Sequence, residues 1–413
     1  MSPFQTMAAV LAVASLFAYV NQRWIRLPVA IALMALGLGA SLLLLSLDRL
    51  ALLRVTGAAT QILQTVKLDR TLLHGVLGVL LFAGALHIDL HELRQQRLAI
   101  GTLAMGATLL STVLVGLLAW VIVRLLGIQL SLSYCMLFGA LISPTDPIAV
   151  LDILRAARVP RDLEIVISGE SLFNDGVGVV IFVTVLAVAS GGHATTGQVV
   201  ELFVREAVGG TLFGLVLGYA TYRLLRTIDH YQTEILLTLA VVLGGYALAE
   251  WWHLSAPLTA VAAGIVIGNQ GRAYGMSQVT RDNLDRFWSL IDYILNALLF
   301  VLVGFEVIRL QVTGRAFAAG LAMIPVVLLA RLVSVAAPVV ALSSMRRLPP
   351  GAVPILTWGG LRGAISVALA LSIPPGPAHD VTVTMTYFVV AFSVLAQGLT
   401  LGRFARQWGG SAE

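Results

Sequence analysis

The sequence Gly-Glu-Ser-Leu-Phe-Asn-Asp-Gly at residues 169–176 places two carboxylates, an amide and a hydroxyl inside an apolar run. The run extends from about residue 163 to about residue 190, and about 20 residues suffice to cross a bilayer. Ionisable groups at that depth are costly, so they normally face a protein interior or a water-filled path and serve ion or proton movement. The stretch therefore predicts a spanning helix that carries a functional site.

The composition of the whole chain indicates an integral membrane protein in contact with lipid. Hydrophobic residues make up 58% of the 413 residues and charged residues only 11%, whereas a soluble domain carries roughly 25% charged residues. The net charge of +5 comes from basic residues spread thinly between apolar runs, which argues against a nucleic-acid partner. The single Cys135 excludes an intramolecular disulfide and a cysteine metal cluster, and the histidines show no metal-binding spacing.

Apolar runs and helix breakers predict an all-α protein with about 13 transmembrane helices and no appended soluble domain. The fourth span is long and the ninth is short, so we expect tilt or breakage there. The predicted spans are 4–20, 27–47, 71–88, 98–123, 132–154, 163–190, 199–222, 233–251, 256–269, 288–308, 315–342, 351–373 and 383–405.

The distribution of basic residues predicts the orientation of these spans. With the N-terminus outside and the C-terminus cytoplasmic, the cytoplasmic loops carry 16 basic residues and the outside segments carry 8. This difference fits the positive-inside bias of a multi-pass protein, and we expect the prokaryotic inner (plasma) membrane. The outside segment 48–70 is an exception with four basic residues, which suggests an amphipathic helix on the membrane surface.

Two predicted spans contain polar interruptions at matching positions. The fifth span is interrupted by Ser-Pro-Thr-Asp-Pro at 143–147, and the twelfth by Trp-Gly-Gly-Leu-Arg-Gly at 358–363. Paired interruptions of this kind indicate inverted repeats with a site at the membrane midplane. We therefore predict one six-helix repeat at 1–190, a linker span at 191–232 and a second repeat at 233–413.

The spacing within residues 169–176 gives the predicted helix two polar faces. Ser171 and Asp175 are four residues apart and share one face, and Glu170 and Asn174 form a second pair about 100° round the axis. One face can line a path while the other contacts a neighbouring helix. A helix-end cap would also use these residue types, but branched apolar residues continue the run to residue 189.

The interruption at 143–147 places prolines on both sides of Thr145 and Asp146. Proline removes a backbone donor and disfavours helix before it, so carbonyl groups are freed at membrane depth. Such groups are tolerated only where protein or water satisfies them. Together with a carboxylate and a hydroxyl they would form an oxygen shell for a small cation. A structural kink in which Asp146 caps the second half-helix is the alternative.

Two arginines, Arg331 and Arg362, fall inside apolar runs. An unpaired charge at the depth of Arg331 would be very costly, and Glu170 is its natural partner. That pairing would leave Asp175 free to titrate; the alternative is that Arg331 snorkels to an interface. Arg362 lies in the glycine-rich interruption, where a structural pairing role is favoured over a direct one.

Four motifs together resemble the NhaP/NHE-type monovalent cation:proton antiporters, the sodium/proton exchangers, over essentially the whole chain. They are Gly-Glu-Ser-Leu-Phe-Asn-Asp-Gly at 169–176, Thr-Asp-Pro at 145–147, Ala-Arg at 330–331 and Gly-Gly-Leu-Arg-Gly at 359–363.

This resemblance implies a homodimer with an NhaA-like antiporter fold, in which two discontinuous helices cross in the ion-translocation core. It implies that Asp175 alternately binds proton and cation, that Asn174 braces the crossing and that Glu170 pairs with Arg331. No cofactor is implied, because the ions are the cargo. The implied ligands of Na⁺ or another monovalent cation are Asp175, Asp146, Ser171 and Thr145.

One position departs from the family pattern. Many relatives carry an acid in the third span within a Phe-(acid)-Gly-like stretch, and this chain has Phe82-Ala83-Gly84 instead. A coordination shell that needs a third carboxylate, and the ion preference that depends on it, are therefore in question.

The sequence thus predicts a secondary active antiporter rather than an enzyme. Burial disfavours a charged carboxylate and a bound cation favours it, so proton and cation would compete for Asp175. Because Asn174 precedes Asp175 where a second acid would add charge, we expect electroneutral exchange, with Na⁺ ahead of Li⁺ or K⁺.

The main alternative is an organic-solute symporter on a related inverted-repeat scaffold. A channel would need a selectivity filter, and an intramembrane aspartyl protease using Asp146 and Asp175 would leave both buried arginines unexplained.

Overall fold

The structure is a computed structural model that describes residues 2–50, 75–189, 196–310, 313–342, 348–349 and 351–408. Those residues form helices joined by short connections and contain no strand, which confirms the predicted all-α class. The first group of helices comprises α1 (Pro3–Val20), α2 (Val29–Arg49), α3 (Leu77–Leu86), α4 (Leu90–Gln95), α5 (Arg97–Gly101), α6 (Thr108–Leu125), α7 (Leu132–Ile142), α8 (Ile148–Ala156), α9 (Arg161–Ala189), α10 (Thr196–Val204) and α11 (Gly210–Leu225).

Several helices continue through wider π turns instead of ending. Five-residue or six-residue π turns at Asn21–Ile25, Thr102–Ala107, Arg205–Gly209, Ile267–Gly271 and Ser393–Gln397 extend their neighbours. The second group of helices comprises α12 (Tyr231–Trp251), α13 (Ala256–Val266), α14 (Arg272–Gly275), α15 (Gln278–Glu306), α16 (Gly314–Leu342), α17 (Ala352–Trp358), α18 (Ala364–Leu371), α19 (Pro377–Phe392) and α20 (Gly398–Trp408).

The described residues include eight helical segments that are long and apolar enough to cross a membrane, together with shorter apolar helices such as α3 and α7. Most of the described residues of each of the thirteen predicted spans lie on helix, and the fifth and twelfth spans contain non-helical breaks. The number thirteen itself stays a prediction. Most of the predicted surface helix at 48–70 lies outside the described residues.

Helix α9 runs without interruption through the motif at 169–176. It has 29 residues, which at 1.5 Å per residue gives a length of about 44 Å and exceeds the apolar thickness of a bilayer. The two carboxylates of the motif, Glu170 and Asp175, are both buried in the protein interior. The helix-end interpretation of the motif is therefore wrong, and the spanning-helix prediction is confirmed.

Two predicted spans are broken, as their interruptions suggested. Residues 143–147 separate α7 from α8, and residues 359–363 separate α17 from α18. Helix α7 packs against α6 and α9, and α17 packs against α16 and α20. Each break therefore lies inside the helical bundle, where protein groups have to satisfy the backbone that leaves the helix.

The glycine face of α11 is internal to the molecule. Gly210, Gly214 and Gly218 lie against α13, with which α11 makes one of its most extensive contacts. The Thr259 hydroxyl donates a hydrogen bond of 3.0 Å to the Gly210 carbonyl. These residues allow two backbones to approach closely, as small residues do between membrane helices. This glycine face is therefore covered within one chain.

We expect Gly214→Leu to destabilise the protein, because a Cβ atom on Gly214 would lie 2.8 Å from Ala262 Cβ and 2.9 Å from Thr259 Cα. Overpacking of this kind costs about 1–3 kcal/mol. The melting temperature of the purified protein in detergent measures the effect. Gly244→Leu is the matched control, because Gly244 is exposed on α12 and a Cβ there meets nothing within 4 Å. Equal melting temperatures would contradict the close packing of α11 on α13.

Candidate functional site

The two helix breaks contact each other directly. The Asp146 backbone amide donates a hydrogen bond of 2.8 Å to the Leu361 carbonyl. Gly363 lies against the Asp146 carboxylate so closely that a Cβ atom there would collide with it. The glycine thus lets the second break approach the first, and the broken helices meet in the protein interior.

Helix α9 holds the first break through Asn174, which is fully buried. Its side-chain oxygen accepts a hydrogen bond of 3.3 Å from the Thr145 amide, and its side-chain nitrogen donates one of 2.9 Å to the Thr145 hydroxyl. The hydroxyls of Thr145 and Ser171 lie 3.0 Å apart. The amide satisfies backbone that the prolines released from helix, as the bracing role predicts.

Asp175 lies one residue beyond this contact and is 4% exposed. It is close enough to Asp146 for the two carboxylates to interact electrostatically. Among the described residues, no Lys, Arg or His forms an ion pair with Asp175. A buried carboxylate without a fixed cation can bind a proton or a mobile cation instead.

Glu170, on the other face of α9, forms an ion pair with Arg331 of α16. Two arginine nitrogens lie 2.5 Å and 3.0 Å from the two carboxylate oxygens, and both side chains are buried. Arg331 also donates hydrogen bonds of 3.2 Å and 3.3 Å to the Leu356 carbonyl of α17. The pairing prediction is confirmed, and the snorkelling alternative is wrong because the guanidinium lies inside the protein.

Arg362 satisfies the carbonyls that the first break releases. Its guanidinium donates hydrogen bonds to the carbonyls of Ser143 and Pro144, the latter at 2.9 Å, and its amide donates one of 2.9 Å to the Ser393 hydroxyl. These contacts fit the structural role that the sequence favoured. Two of the freed carbonyls, which were expected in a cation shell, therefore accept hydrogen bonds from protein instead.

Behind the crossing, the two arginines line a cavity of about 10 Å³. The second terminal nitrogen of Arg362 and the Thr357 hydroxyl are buried and have no hydrogen-bond partner among the described residues. A volume of this size holds about one water molecule. Two of the eight predicted site residues thus line this cavity, and the other six lie on α9 and in the first break.

Sequence reasoning missed one carboxylate, Asp292. It lies at the middle of α15 and is half-buried, and its charge interacts with that of Asp146. The signal was present, because an acid interrupts the apolar run of the tenth predicted span. Among the described residues, no three His, Cys, Asp or Glu side chains converge as a metal cluster would require.

Broken helices that meet in the bundle interior, beside a buried Asp175 that has no ion-paired cation among the described residues, are typical of a secondary transporter of ions. The chain belongs to the sodium/hydrogen exchanger family, whose transmembrane model matches residues 11–407. This is a family of transporters, so the protease interpretation is wrong. Sodium/proton antiporters need no cofactor, and the ions they transport are their substrates.

Comparisons with individual proteins agree with this assignment. The chain is 47% identical over 405 residues to the Na⁺/H⁺ antiporter NhaP of Pseudomonas aeruginosa, covering 97% of this chain and 96% of that protein. It is 36% identical over 390 residues to the antiporter NhaH of Halobacillus dabanensis, covering 92% of each. The fold matches the sodium proton antiporter MjNhaP1 of Methanocaldococcus jannaschii with a TM-score of 0.76 at 18% identity, over 100% of this chain and 99% of that one.

We expect Arg331→Met to lower the free energy of unfolding by about 3–5 kcal/mol, because it leaves Glu170 charged and buried without its partner. The double variant Glu170→Leu, Arg331→Met removes both charges and should recover part of that loss. Melting temperatures of the three proteins in detergent test this coupling.

Arg161→Ala is the control for this series. It removes an exposed partner that lies 2.9 Å from Glu92 and should cost about 0–1 kcal/mol. A double variant less stable than Arg331→Met would contradict the buried pair as the source of the effect.

Proposed function

We propose that this protein exchanges Na⁺ for H⁺ across the membrane and that Asp175 is the carboxylate at which the two ions compete. The observation that carries the proposal is the burial of Asp175 beside Asp146, at the contact of two broken helices and without an ion-paired cation among the described residues. A proton or a small cation can neutralise this carboxylate, and each excludes the other. Membership of the sodium/hydrogen exchanger family and the names of the relatives support Na⁺ as the cation.

We assign the cation ligands to oxygen atoms around the crossing. Ser171 lies on the same face of α9 as Asp175, and its hydroxyl is 3.0 Å from that of Thr145, the residue before Asp146. Asp146 in turn interacts electrostatically with Asp175. Hard monovalent cations prefer oxygen donors of this kind. Asn174, Glu170, Arg331 and Arg362 support these groups without binding the ion, because each already has protein partners.

Exchange is electroneutral in this proposal. Glu170 is neutralised by Arg331 at 2.5 Å, and the residue before Asp175 is an amide that hydrogen-bonds Thr145. Asp175 is then the one carboxylate of α9 at the crossing whose charge changes during the cycle. One monovalent cation replaces one proton, so the two halves of the cycle carry equal charge in opposite directions. The complete cycle therefore moves no net charge across the membrane.

We infer that the two broken helices belong to inverted repeats at 1–190 and 233–413, joined by the span within 191–232. The contact between the breaks at Asp146 and Leu361 supports this division, since corresponding elements of such repeats meet at the midplane. Alternating access would then move the crossed half-helices, with their bound ion, relative to the remaining helices.

We also propose a homodimer in the prokaryotic plasma membrane, with the N-terminus outside and the C-terminus cytoplasmic. The dimer rests on the family resemblance, the membrane on the bacterial relatives and the orientation on the excess of cytoplasmic basic residues. We expect a cysteine at residue 2, in a Cys135→Ser background, to react with a membrane-impermeant thiol reagent in intact cells, and one at residue 408 to be protected. Native mass spectrometry measures the oligomeric state.

We expect Asp175→Asn to abolish exchange, because an amide neither titrates nor carries the charge that holds the cation. Purified protein in proton-loaded liposomes with a pH-sensitive dye gives the readout after Na⁺, Li⁺ or K⁺ is added outside. Wild-type exchange should be unaffected by a clamp on membrane potential.

Asp162→Asn is the matched control, since Asp162 is an exposed carboxylate near the start of the same helix. It should exchange like the wild type. Residual exchange above a tenth of the wild-type rate in Asp175→Asn would show that the ions compete at a different carboxylate. Wild-type protein that moves no protons with any of the three ions would overturn the proposed function.

A further inference from the structure

Asp292 is a carboxylate at membrane depth that the reaction described above does not use. It is the fifteenth of the 29 residues of α15, Gln278–Glu306, and therefore lies at the middle of a spanning helix. Its side chain is half-buried. Carboxylates at such a position are costly, and they normally belong to ion or proton pathways or to charge pairs.

A charge pair does not account for Asp292. Among the described residues, no Lys, Arg or His lies within ion-pairing distance of it. Among the described residues its side chain accepts one hydrogen bond, of 3.1 Å, from the Asn296 side-chain amide, which also donates one of 2.9 Å to the Asp292 backbone carbonyl. An amide can orient a carboxylate but cannot neutralise it, so Asp292 contributes negative charge to its surroundings.

Those surroundings are the crossing of the broken helices. Helix α15 packs against the half-helix α18, which begins at Ala364. The residue before it, Gly363, lies against the Asp146 carboxylate. Asp292 interacts electrostatically with Asp146 and with Asp152, which is exposed on α8. The packing of α15 on α18 therefore places Asp292 on a helix next to the crossing.

Helix α15 also packs against the third predicted span, at the position where this chain lacks an acid. Trp288, one turn before Asp292, contacts Phe82 with 4.8 Å between ring centroids. Ala83 follows Phe82 and belongs to the same buried cluster as Trp288. Asp292 thus lies on the helix that packs against Phe82 and Ala83.

We propose that Asp292 is a third carboxylate of the cation pathway, which strengthens cation binding at the crossing from outside the broken helices and takes the place of the charge absent at Ala83. It acts on the ion through its charge and is a positioning residue rather than a ligand, consistent with the lack of a three-carboxylate cluster among the described residues. This inference rests on the proposed Na⁺/H⁺ exchange.

The test compares the half-saturating Na⁺ concentration with the maximal exchange rate in proteoliposomes, at alkaline pH where proton competition is smallest. We expect Asp292→Asn to raise the half-saturating concentration about tenfold, the size of effect that one charge about 12 Å from the ion produces at an effective dielectric constant of about 20. The maximal rate should stay within about twofold of the wild type. Asp292→Glu keeps the charge and should restore a half-saturating concentration within about twofold of the wild type.

Asp282→Asn is the matched control, because Asp282 is an exposed carboxylate near the start of the same helix. Asp292→Ser is measured in parallel, so that a folding failure of one neutral variant leaves the comparison intact. An unchanged half-saturating concentration in a folded neutral variant overturns the inference, and so does equal loss in Asp292→Glu, which would indicate packing. If Asp175→Asn abolishes exchange and Asp292→Asn leaves it unchanged, this inference alone is wrong. If the wild type shows no exchange, the proposed function is wrong as well.

Discussion

The hydrogen bond from the Asp146 amide to the Leu361 carbonyl joins two segments of the chain. Each segment leaves helical structure inside the bundle. Backbone groups released at this depth have no water to bind, so protein has to satisfy them. Asn174 supplies an acceptor and a donor to Thr145, and Arg362 donates to the Ser143 and Pro144 carbonyls. The crossing depends on these side chains because they complete its hydrogen bonding. The proposed ion site depends in turn on the crossing, which brings Asp146 close to Asp175.

In the proposed exchange, the buried charges divide into a fixed set and an exchangeable one. Glu170 and Arg331 neutralise each other and join α9 to α16 and α17, so they contribute structure without responding to the ion. Arg362 binds carbonyls rather than a carboxylate. The negative charge of Asp175 is then available to a proton or a cation. Separation of these two roles on adjacent faces of one helix allows α9 to be both a rigid support and the wall of an ion site.

Much of this arrangement could be predicted from the chain because a membrane restricts the choices so strongly. Long apolar runs have to be helical, and a polar motif inside one has to face protein or water. The i,i+4 spacing then sorts Ser171 with Asp175 and Glu170 with Asn174. Charge made Glu170 the expected partner of Arg331, since a cation at that depth needs a partner, and the structure decided against the snorkelling alternative. The prolines at 144 and 147 likewise marked a break that the structure contains.

The sequence by itself determined the helical class, the depth of the polar groups and the face of α9 on which each one lies, because these depend on neighbours along one chain segment. Only the tertiary structure decided that Arg362 binds the carbonyls of Ser143 and Pro144, more than 200 residues away. It also decided that the glycine face of α11 is internal and that the helix carrying Asp292 packs on the half-helix that follows Gly363. Periodicity specifies where a side chain points from its own helix, whereas the partner it meets there depends on how separate helices pack.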